Sequence, residues 1–256
     1  MRRGLCVACS TLVALLGLCC ALIGYSAEWV PAPYTQVIAF SGSNWLVKAS
    51  ENKAVGPGPN YFSGQNVWVR DAELHLRISE RDGRWYSAEI VSAASFGFGT
   101  YRFRIQSDVA DLDPNVVLGL FTWSDDPSFS HREIDIEVSR WGDPGGRNAQ
   151  CVVQPYDKPG AVVRFEVPAS LKNPIYAFTW TPEAVTCEIA DADERPKSDP
   201  PPFRFAHRFT NGIPPAGGEN ARINLWQLGG QSPARGRSQE VVIAGFRFIP
   251  LVQVDP

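Results

Sequence analysis

The sequence predicts an all-β protein, a two-sheet antiparallel β-sandwich, on three observations. From Asn66 onward apolar and polar residues alternate with a period of two, as expected for strands with one buried face. Turn-forming pairs such as Asp82-Gly83 and Pro159-Gly160 separate these short runs. No window of helical length shows a clear 3.6-residue period. Many short strands with frequent turns favour two antiparallel sheets packed face to face.

The alternation is clearest in Glu73–Ser79, where Leu74, Leu76 and Ile78 share one face. Residues 28–60 are rich in Pro, Gly and Asn and are interpreted as an irregular lead-in with one strand at Gln36–Phe40. The other predicted strands are Trp85–Ser92, Thr100–Gln106, Val116–Trp123, Glu133–Ser139, Ala149–Gln154, Val162–Val167, Ile175–Thr181, Ala184–Ala190, Phe203–Phe209, Ala221–Trp226 and Glu240–Ile249.

The chain divides into a short N-terminal segment and one large domain. Residues 1–26 contain Arg2 and Arg3, then an apolar run from Leu5 to Ile23, and end with small residues around Tyr25. This pattern is that of a signal peptide or of an uncleaved N-terminal anchor, and both would place the rest outside the cytoplasm. We therefore expect a secreted, periplasmic or cell-surface protein, with membrane attachment only through this segment. Residues 27–256 form the single β domain.

Charge and cysteine content exclude some classes of partner and leave one question open. The net charge of -3 argues against nucleic acid, because phosphate binding needs a basic face. Three His residues without a ligand cluster argue against metal chemistry. Cys151 and Cys187 are the cysteines of the large domain, and they either form a disulfide or remain buried thiols. We expect no cofactor and a monomeric protein.

The segment that carries chemistry is Glu133-Ile134-Asp135-Ile136-Glu137. Strand alternation puts the three acids on one face and the two isoleucines in the core. Like charges in a row raise the pKa of at least one carboxyl, which is costly in a purely structural strand. Retaining glycoside hydrolysis needs one ionised nucleophile and one protonated acid about 5 Å apart, and this arrangement suits it. Taken alone, the pattern also fits a charged solvent face.

The flanking sequence resembles glycoside hydrolase family 16, which includes laminarinases, lichenases, agarases, carrageenases and xyloglucan transglycosylases. The acidic motif matches that family's E-[I/L]-D-x-E pattern in its form without a bulge. Ordered matches extend over residues 66–249. They are Asn66–Val69 with Leu74–Leu76, Trp85–Ser92, Phe96–Tyr101, Gly119–Trp123, Tyr176–Glu183 and Asn224–Trp226.

The resemblance implies a β-jelly roll whose concave sheet forms the substrate cleft. Glu133 would be the nucleophile, Glu137 the general acid and then general base, and Asp135 an electrostatic assistant. We expect the acids to open into one groove with Trp123 or Trp226 on its walls. The resemblance would allow a structural calcium on the convex side, but no motif in this sequence locates one.

The same resemblance names residues that would bind a polysaccharide. Glu89 would hydrogen-bond a sugar hydroxyl, and Trp123 and Trp226 would stack on sugar rings. Phe121 and Trp123 could equally be core residues, and Asn224 could close a turn. The full set of substrate-binding candidates is Glu89, Phe121, Trp123, His131, Trp141, Gln150, Asn224 and Trp226, with Gln154 as a further cleft residue.

Three departures from the family pattern affect the substrate and leave the acids intact. His131 stands where lichenases have a Trp two residues before the nucleophile. Val91 replaces the Arg that follows the equivalent of Glu89 by two residues, so one charge-assisted sugar contact is absent. Trp141 lies in an unfamiliar stretch and is expected to stack near the acid.

Two functions therefore compete at the level of sequence. The first is a retaining endo-glycosidase or transglycosylase acting on a β-glucan or β-galactan. The second is a non-catalytic carbohydrate-binding or lectin-like protein on the same scaffold, since sandwich folds host both roles. The intact acid triplet favours the enzyme, because a pure binder gains nothing from clustered carboxylates.

Overall fold

The computed structural model describes residues 33–50, 52–191 and 203–252. The segment 1–26, interpreted above as a signal peptide or anchor, lies outside these ranges. Within them no helix is long and apolar enough to cross a bilayer. The strands are β1 (Tyr34–Phe40), β2 (Ser43–Lys48), β3 (Tyr61–Phe62), β4 (Val67–Arg70), β5 (Glu73–Arg81), β6 (Arg84–Ser95), β7 (Gly99–Ile105), β8 (Val116–Trp123), β9 (Ile134–Val138), β10 (Ala149–Val153), β11 (Val162–Phe165), β12 (Pro174–Trp180), β13 (Val185–Asp191), β14 (Phe203–Phe209), β15 (Asn220–Gln227) and β16 (Gln239–Pro250). Three short 3-10 helices are Gly64–Asn66, Ser130–Arg132 and Leu228–Gly230.

The long strands form two antiparallel layers. The layer that we call the cleft sheet has the order β1-β2-β6-β15-β8-β9-β10-β11. The layer that we call the back sheet has the order β4-β5-β16-β7-β12-β13-β14. The hairpin of β5 and β6 joins the two layers, so the whole assembly curves into a nearly closed barrel. The predicted all-β, two-sheet antiparallel sandwich is confirmed.

Alternate residues of both layers meet in one hydrophobic core. Leu74, Leu76 and Ile78 of β5 are fully buried there, as the alternation in Glu73–Ser79 predicts. Ile134 and Ile136 of β9 enter the same core from the cleft sheet. Burial of an aliphatic side chain stabilises the fold by about 1.5–3 kcal/mol each, so these rows hold the layers together.

Turn chemistry explains where the chain reverses. Asp82 and Gly83 have φ of 52° and 76°, and they join Arg81 to its cross-strand partner Arg84. Two consecutive positive φ values match the right-handed twist of a hairpin, and Gly and Asp tolerate them. The predicted Asp82-Gly83 turn is therefore present.

The N-terminal lead-in is more regular than its composition indicated. Besides β1, it contains β2, which pairs with β1 and then with β6. Trp45 and Val47 of β2 are fully buried, so a period of two exists there. The run is only six residues long and follows a Pro-rich stretch, which concealed it in the sequence. The prediction that residues 28–60 are irregular with a single strand was therefore wrong, because β2 is a second strand there.

The two cysteines of the domain lie in opposite layers. Cys151 is on β10 and Cys187 on β13, and both are fully buried free thiols. Burial raises the pKa of the Cys151 thiol, and a hydrogen bond with Cys187 acts in the same direction. Both thiols belong to the hydrophobic core.

Truncation of Ile136 tests the role of β9 in the core. Ile136→Ala removes part of a fully buried side chain, and we expect a loss of about 2–5 kcal/mol in the free energy of unfolding because a cavity remains. Urea denaturation followed by tryptophan fluorescence measures this loss. The exposed Arg77 of β5 provides the control, since Arg77→Ala should change stability by less than about 0.5 kcal/mol. Equal losses in the two variants would contradict this assignment of the core.

Candidate active site

The three acids of β9 converge on one cleft. Asp135 and Glu137 are on β9, and Glu133 immediately precedes it. Their side chains alternate with Ile134 and Ile136, so the acids face away from the core. All three line a cavity of about 540 Å³, with Trp123 and Trp226 among its other lining residues. This is the common groove that the sequence analysis expected for the acids.

The other candidates from the sequence divide into two groups. Five of them line the same cavity, namely Glu89, Phe121, Trp123, Asn224 and Trp226. His131, Trp141, Gln150 and Gln154 are not among its lining residues. Gln150 and Gln154 donate hydrogen bonds to Glu137 and Asp135, respectively. His131 stacks on Trp123, and Trp141 contacts the guanidinium of Arg164. Lining residues that sequence reasoning missed include Tyr34, Lys48, Asp125 and Arg222.

A single cross-strand row runs through the acid Glu137. From β6 to β11 its members are directly paired in register: Glu89, Asn224, Gly119, Glu137, Gln150 and Arg164. We call this set the Glu137 row. Directly opposite side chains on one face of a sheet lie close enough to interact. Gly119 is the one member without a side chain, and it also lines the cavity.

Gly119 has a steric reason for being glycine. A Cβ placed on it would lie 2.4 Å from Asn224 Oδ1, closer than real Cβ contacts allow. Asn224 is buried, and its Nδ2 donates to Glu89 Oε2 at 3.3 Å. The amide of Asn224 therefore occupies the space over Gly119, between Glu89 and β9.

Glu89 anchors two cations beneath the cleft. It is only 1% exposed, and its Oε2 accepts from Lys48 Nζ at 2.9 Å. Its Oε1 accepts from a terminal nitrogen of Arg222 at 3.4 Å. A buried carboxylate needs such partners, because an unpaired buried charge is strongly unfavourable. Both oxygens of Glu89 are thus engaged by protein groups, in addition to lining the cavity.

Arg222 supplies a cation where the sequence indicated that one was absent. It is the direct cross-strand partner of Val91, the position at which the family pattern has Arg. Its guanidinium also donates to Asp125 Oδ1 at 3.2 Å and lies 5.8 Å from the ring centroid of Trp123. A positive charge therefore stands on the strand that neighbours Val91, which linear motif matching does not detect.

Burial controls the protonation of the three acids. It raises the pKa of Glu133 to about 7, against the lowering effect of a hydrogen bond from Asp135. Burial, and next the charges of Glu133 and Glu137, raise the pKa of Asp135 well above its ordinary value. Burial raises the pKa of Glu137 as well, while the hydrogen bond from Gln150 and the charge of Arg164 lower it. Near neutral pH the site therefore holds at least one proton, and protonated Asp135 can donate to Glu133.

The connection that leads into Glu133 is a left-handed turn. Residues Phe129 to Arg132 have φ of 54°, 52°, 61° and 54°. Left-handed backbone costs about 1–2 kcal/mol for each ordinary residue. Contacts with β8 and the residue that follows it offset this cost: His131 Nδ1 donates to the carbonyl of Ser124 at 2.8 Å, and Ser124 N–H donates to the carbonyl of His131 at 2.7 Å.

His131 supports Trp123 from behind. Their rings are stacked with centroids 3.9 Å apart and planes 10° from parallel. The carbonyl of Ser124 can only accept, so Nδ1 of His131 carries a proton. Because His131 covers one face of the Trp123 ring, Trp123 lines the cavity with the rest of its side chain.

The fold is shared with solved β-glucanases. No protein-family model and no curated protein matches the chain. The β-glucanase of Bacillus licheniformis matches with a TM-score of 0.59 and 18% identity, over 80% of this chain and 91% of that one. A family 16 endo-glucanase from Bacteroides ovatus matches with a TM-score of 0.57 and 13% identity, over 80% and 94%. This chain has the fold of family 16 glycoside hydrolases.

A third match adds a different kind of protein with this fold. An immunostimulatory antigen described as a pseudo β-1,3-glucanase of Mycobacterium tuberculosis aligns with a TM-score of 0.59 and 21% identity. The alignment covers 87% of this chain and 94% of that one. The family 16 fold is therefore found both in glucanases and in a protein named as a pseudo-enzyme.

The raised pKa of Glu133 predicts a pH-dependent stability. A carboxyl with a higher pKa in the folded chain stabilises the fold below its unfolded pKa and loses that contribution as the pH rises through the folded value. For Glu133 this loss of stability occurs as the pH rises from 4.5 to about 7. Glu133→Gln removes this titration. We therefore expect the free energy of unfolding of the variant, relative to that of wild type, to be roughly 1–3 kcal/mol higher at pH 8 than at pH 4.5. Urea denaturation at the two pH values measures the gain.

Glu183→Gln is the matched control for this titration, because Glu183 is exposed and lies outside the cleft. As an exposed surface substitution, it should change the free energy of unfolding by less than about 0.5 kcal/mol. A gain for Glu133→Gln that does not exceed that of Glu183→Gln would refute burial of an ionisable Glu133.

Proposed function

We propose that this protein is a retaining, endo-acting glycoside hydrolase that cleaves a β-linked polysaccharide, a β-glucan or a β-galactan. The observation that carries the proposal is the opening of Glu133 and Glu137 into one cavity that Trp123 and Trp226 also line. The fold supports it, since solved structures with this fold include a lichenase and a laminarinase. Another protein with this fold, a LamA variant from Z. galactanivorans, was solved with laminaritriose and laminaritetraose.

The proposed chemistry divides the work between the two glutamates. Glu133 attacks the anomeric carbon while Glu137 protonates the departing glycosidic oxygen, which gives a covalent glycosyl-enzyme. Glu137 then takes a proton from water, and that water releases the sugar from Glu133 with retained configuration. A sugar hydroxyl in place of water would give transglycosylation.

Asp135 keeps the nucleophile in its working state. The hydrogen bond between Asp135 and Glu133 lowers the pKa of Glu133, and so does the charge of Arg222. Both effects favour the ionised form of Glu133 that nucleophilic attack requires. Gln154 Nε2 donates to Asp135 Oδ2 at 3.0 Å and holds the assisting carboxyl in position.

The charges of the cleft favour an uncharged substrate. Lys48 and Arg222 are the cations among its described lining residues, and both are paired with Glu89. Asp125 and the three acids of β9 add negative groups around the same cavity. An anionic sugar would find these cations already neutralised, whereas a neutral pyranose can stack on the rings of Trp226 and Trp123, which line the same cavity.

A second candidate is a carbohydrate-binding protein without catalysis. The observation that favours it is the similarity to the pseudo β-1,3-glucanase. Such a protein would keep the aromatic walls and would not depend on the acids. The substitution of Glu133 separates the two candidates.

Glu133→Gln should abolish hydrolysis and preserve binding. We expect at least a 1,000-fold loss of reducing-end release from the best substrate in a panel of neutral β-glucans and β-galactans, because the amide cannot form the covalent intermediate. Affinity for the same polysaccharide, measured by calorimetry, should change by less than about threefold. Proton NMR of freshly formed product should show the β-anomer first.

Two results would contradict the proposal. Normal cleavage by Glu133→Gln would remove the nucleophile from the mechanism. Binding without any cleavage by the wild-type protein across the panel would establish the binding protein instead. Glu183→Gln again provides the control, since the same change outside the cleft should leave activity unaltered.

Gly119→Ala tests whether the position of the Asn224 amide on the floor of the cleft matters for substrate binding. The added methyl must displace the amide of Asn224, which a Cβ would approach to 2.4 Å. We expect the KM for the polysaccharide to rise about 10-fold or more because the floor of the cleft changes. Steady-state kinetics measures this, and the melting temperature checks that the sheet is intact. An unchanged KM in a folded variant would show that sugar does not occupy this floor.

A further inference from the structure

Three side chains outside the cavity form a continuous chain of contacts that ends on Glu137. Gln150 Nε2 donates to Glu137 Oε2 at 2.6 Å. Arg164 Nε donates to Gln150 Oε1 at 3.1 Å. The guanidinium carbon of Arg164 lies 4.8 Å from the ring centroid of Trp141. We call Trp141, Arg164 and Gln150 the support chain.

Hydrogen-bonding capacity fixes the direction of this chain. The guanidinium of Arg164 can only donate, so the amide oxygen of Gln150 must be the atom that faces it. The NH₂ group of Gln150 then faces Glu137, and its donation requires a lone pair on Oε2. The carbonyl oxygen of a protonated carboxyl is its stronger acceptor, so this contact favours the proton of Glu137 on Oε1. Arg164 thus acts, through Gln150, on which oxygen of Glu137 carries the proton.

The geometry of the sheet makes this contact specific. Gln150 is the direct cross-strand partner of Glu137, and Arg164 is the direct partner of Gln150. Arg164 is on the exposed edge strand β11, where an arginine without supports would sample many rotamers. The ring of Trp141 and the amide of Gln150 both contact its guanidinium, and an arginine over an indole ring is a favourable cation–π contact.

From this arrangement we propose that Arg164, held by Trp141, is a positioning residue that acts on Glu137 through Gln150. The proposal rests on the function proposed above, in which Glu137 is the acid and base of the reaction. It gives Trp141 a role in supporting the acid rather than in stacking on sugar. It gives Gln150 a role in orienting the acid rather than in lining the cleft.

The charged surroundings of Glu137 indicate what loss of Arg164 would do. The acids nearest to it in the chain are Glu133, just before β9, and Asp135 on β9. Its cross-strand neighbours are neutral Gln150 on β10 with Arg164 beyond it on β11, and Gly119 on β8. Beyond Gly119 lie neutral Asn224 on β15 and then the charged group of Glu89, Lys48 and Arg222. Arg164 is the cation in direct register with Gln150. Burial raises the pKa of Glu137, and Gln150 and Arg164 lower it, so loss of Arg164 raises it further.

The test measures the titration of Glu137 directly, without turnover. Full-length protein labelled with ¹³C at the glutamate carboxyls is titrated by NMR, and the resonance absent from Glu137→Gln identifies Glu137. In Arg164→Met the Glu137 midpoint should rise by about 0.5–1 pH unit, since charge and donor are both lost. Arg164→Lys keeps the charge and loses the planar fork, so its rise should be smaller.

Lys158→Met is the matched control, because it removes one exposed positive charge from the β10–β11 connection without contact to Gln150. It should leave the Glu137 midpoint unmoved. On the substrate identified by the panel, Arg164→Met and Trp141→Leu should lower kcat about 3- to 10-fold with KM changed less than twofold. The basic limb of the pH profile should shift upward in Arg164→Met.

Several outcomes would overturn the inference. They are an unmoved Glu137 midpoint in Arg164→Met, an equal shift in Lys158→Met, and a Trp141→Leu variant that raises KM at unchanged kcat. The last result would make Trp141 a sugar platform. The NMR titration does not depend on activity, so an inactive wild-type protein would refute the proposed hydrolase and leave the support chain to be judged by the midpoint alone.

Discussion

The pairing register of β9 is the constraint on which the site depends. Glu137 lies opposite Gly119 on one side and Gln150 on the other, and this pairing places every acid toward the cleft and every isoleucine toward the core. A slip by one residue would exchange the two faces. The buried Ile134 and Ile136 oppose that slip, because it would expose them and bury carboxylates in hydrocarbon. The hydrophobic core thereby sets the position of the acids.

The same register places groups from distant parts of the chain in one line. Glu89, Asn224, Glu137 and Arg164 come from separate parts of the sequence and lie in one row across the sheet. Each charged member has a partner, which is the condition for keeping charges in a largely buried site. The row therefore combines two tasks: its outer members stabilise charge, and Gly119 provides the space that the amide of Asn224 occupies.

The site works against the stability of the fold in two places. Burial raises the pKa of all three acids of β9, so their ionisation at rising pH costs folding free energy. The left-handed turn before Glu133 adds backbone strain, which the hydrogen bonds and ring stacking of His131 offset. Strain and unfavourable ionisation concentrated beside one cleft are typical of a functional site rather than of a structural strand.

Local pattern was sufficient for the strands, the Asp82-Gly83 turn and the common face of Glu133, Asp135 and Glu137, because a period of two and turn preferences are properties of neighbouring residues. It failed for β2, where six residues beside a Pro-rich stretch were too short to show the period. The charges at the site were decided by tertiary structure alone. Lys48 reaches Glu89 from β2, and Arg222 stands across from Val91 on a strand that follows it by more than a hundred residues in the chain. Cross-strand pairing brings these groups together, and no spacing along the sequence encodes it.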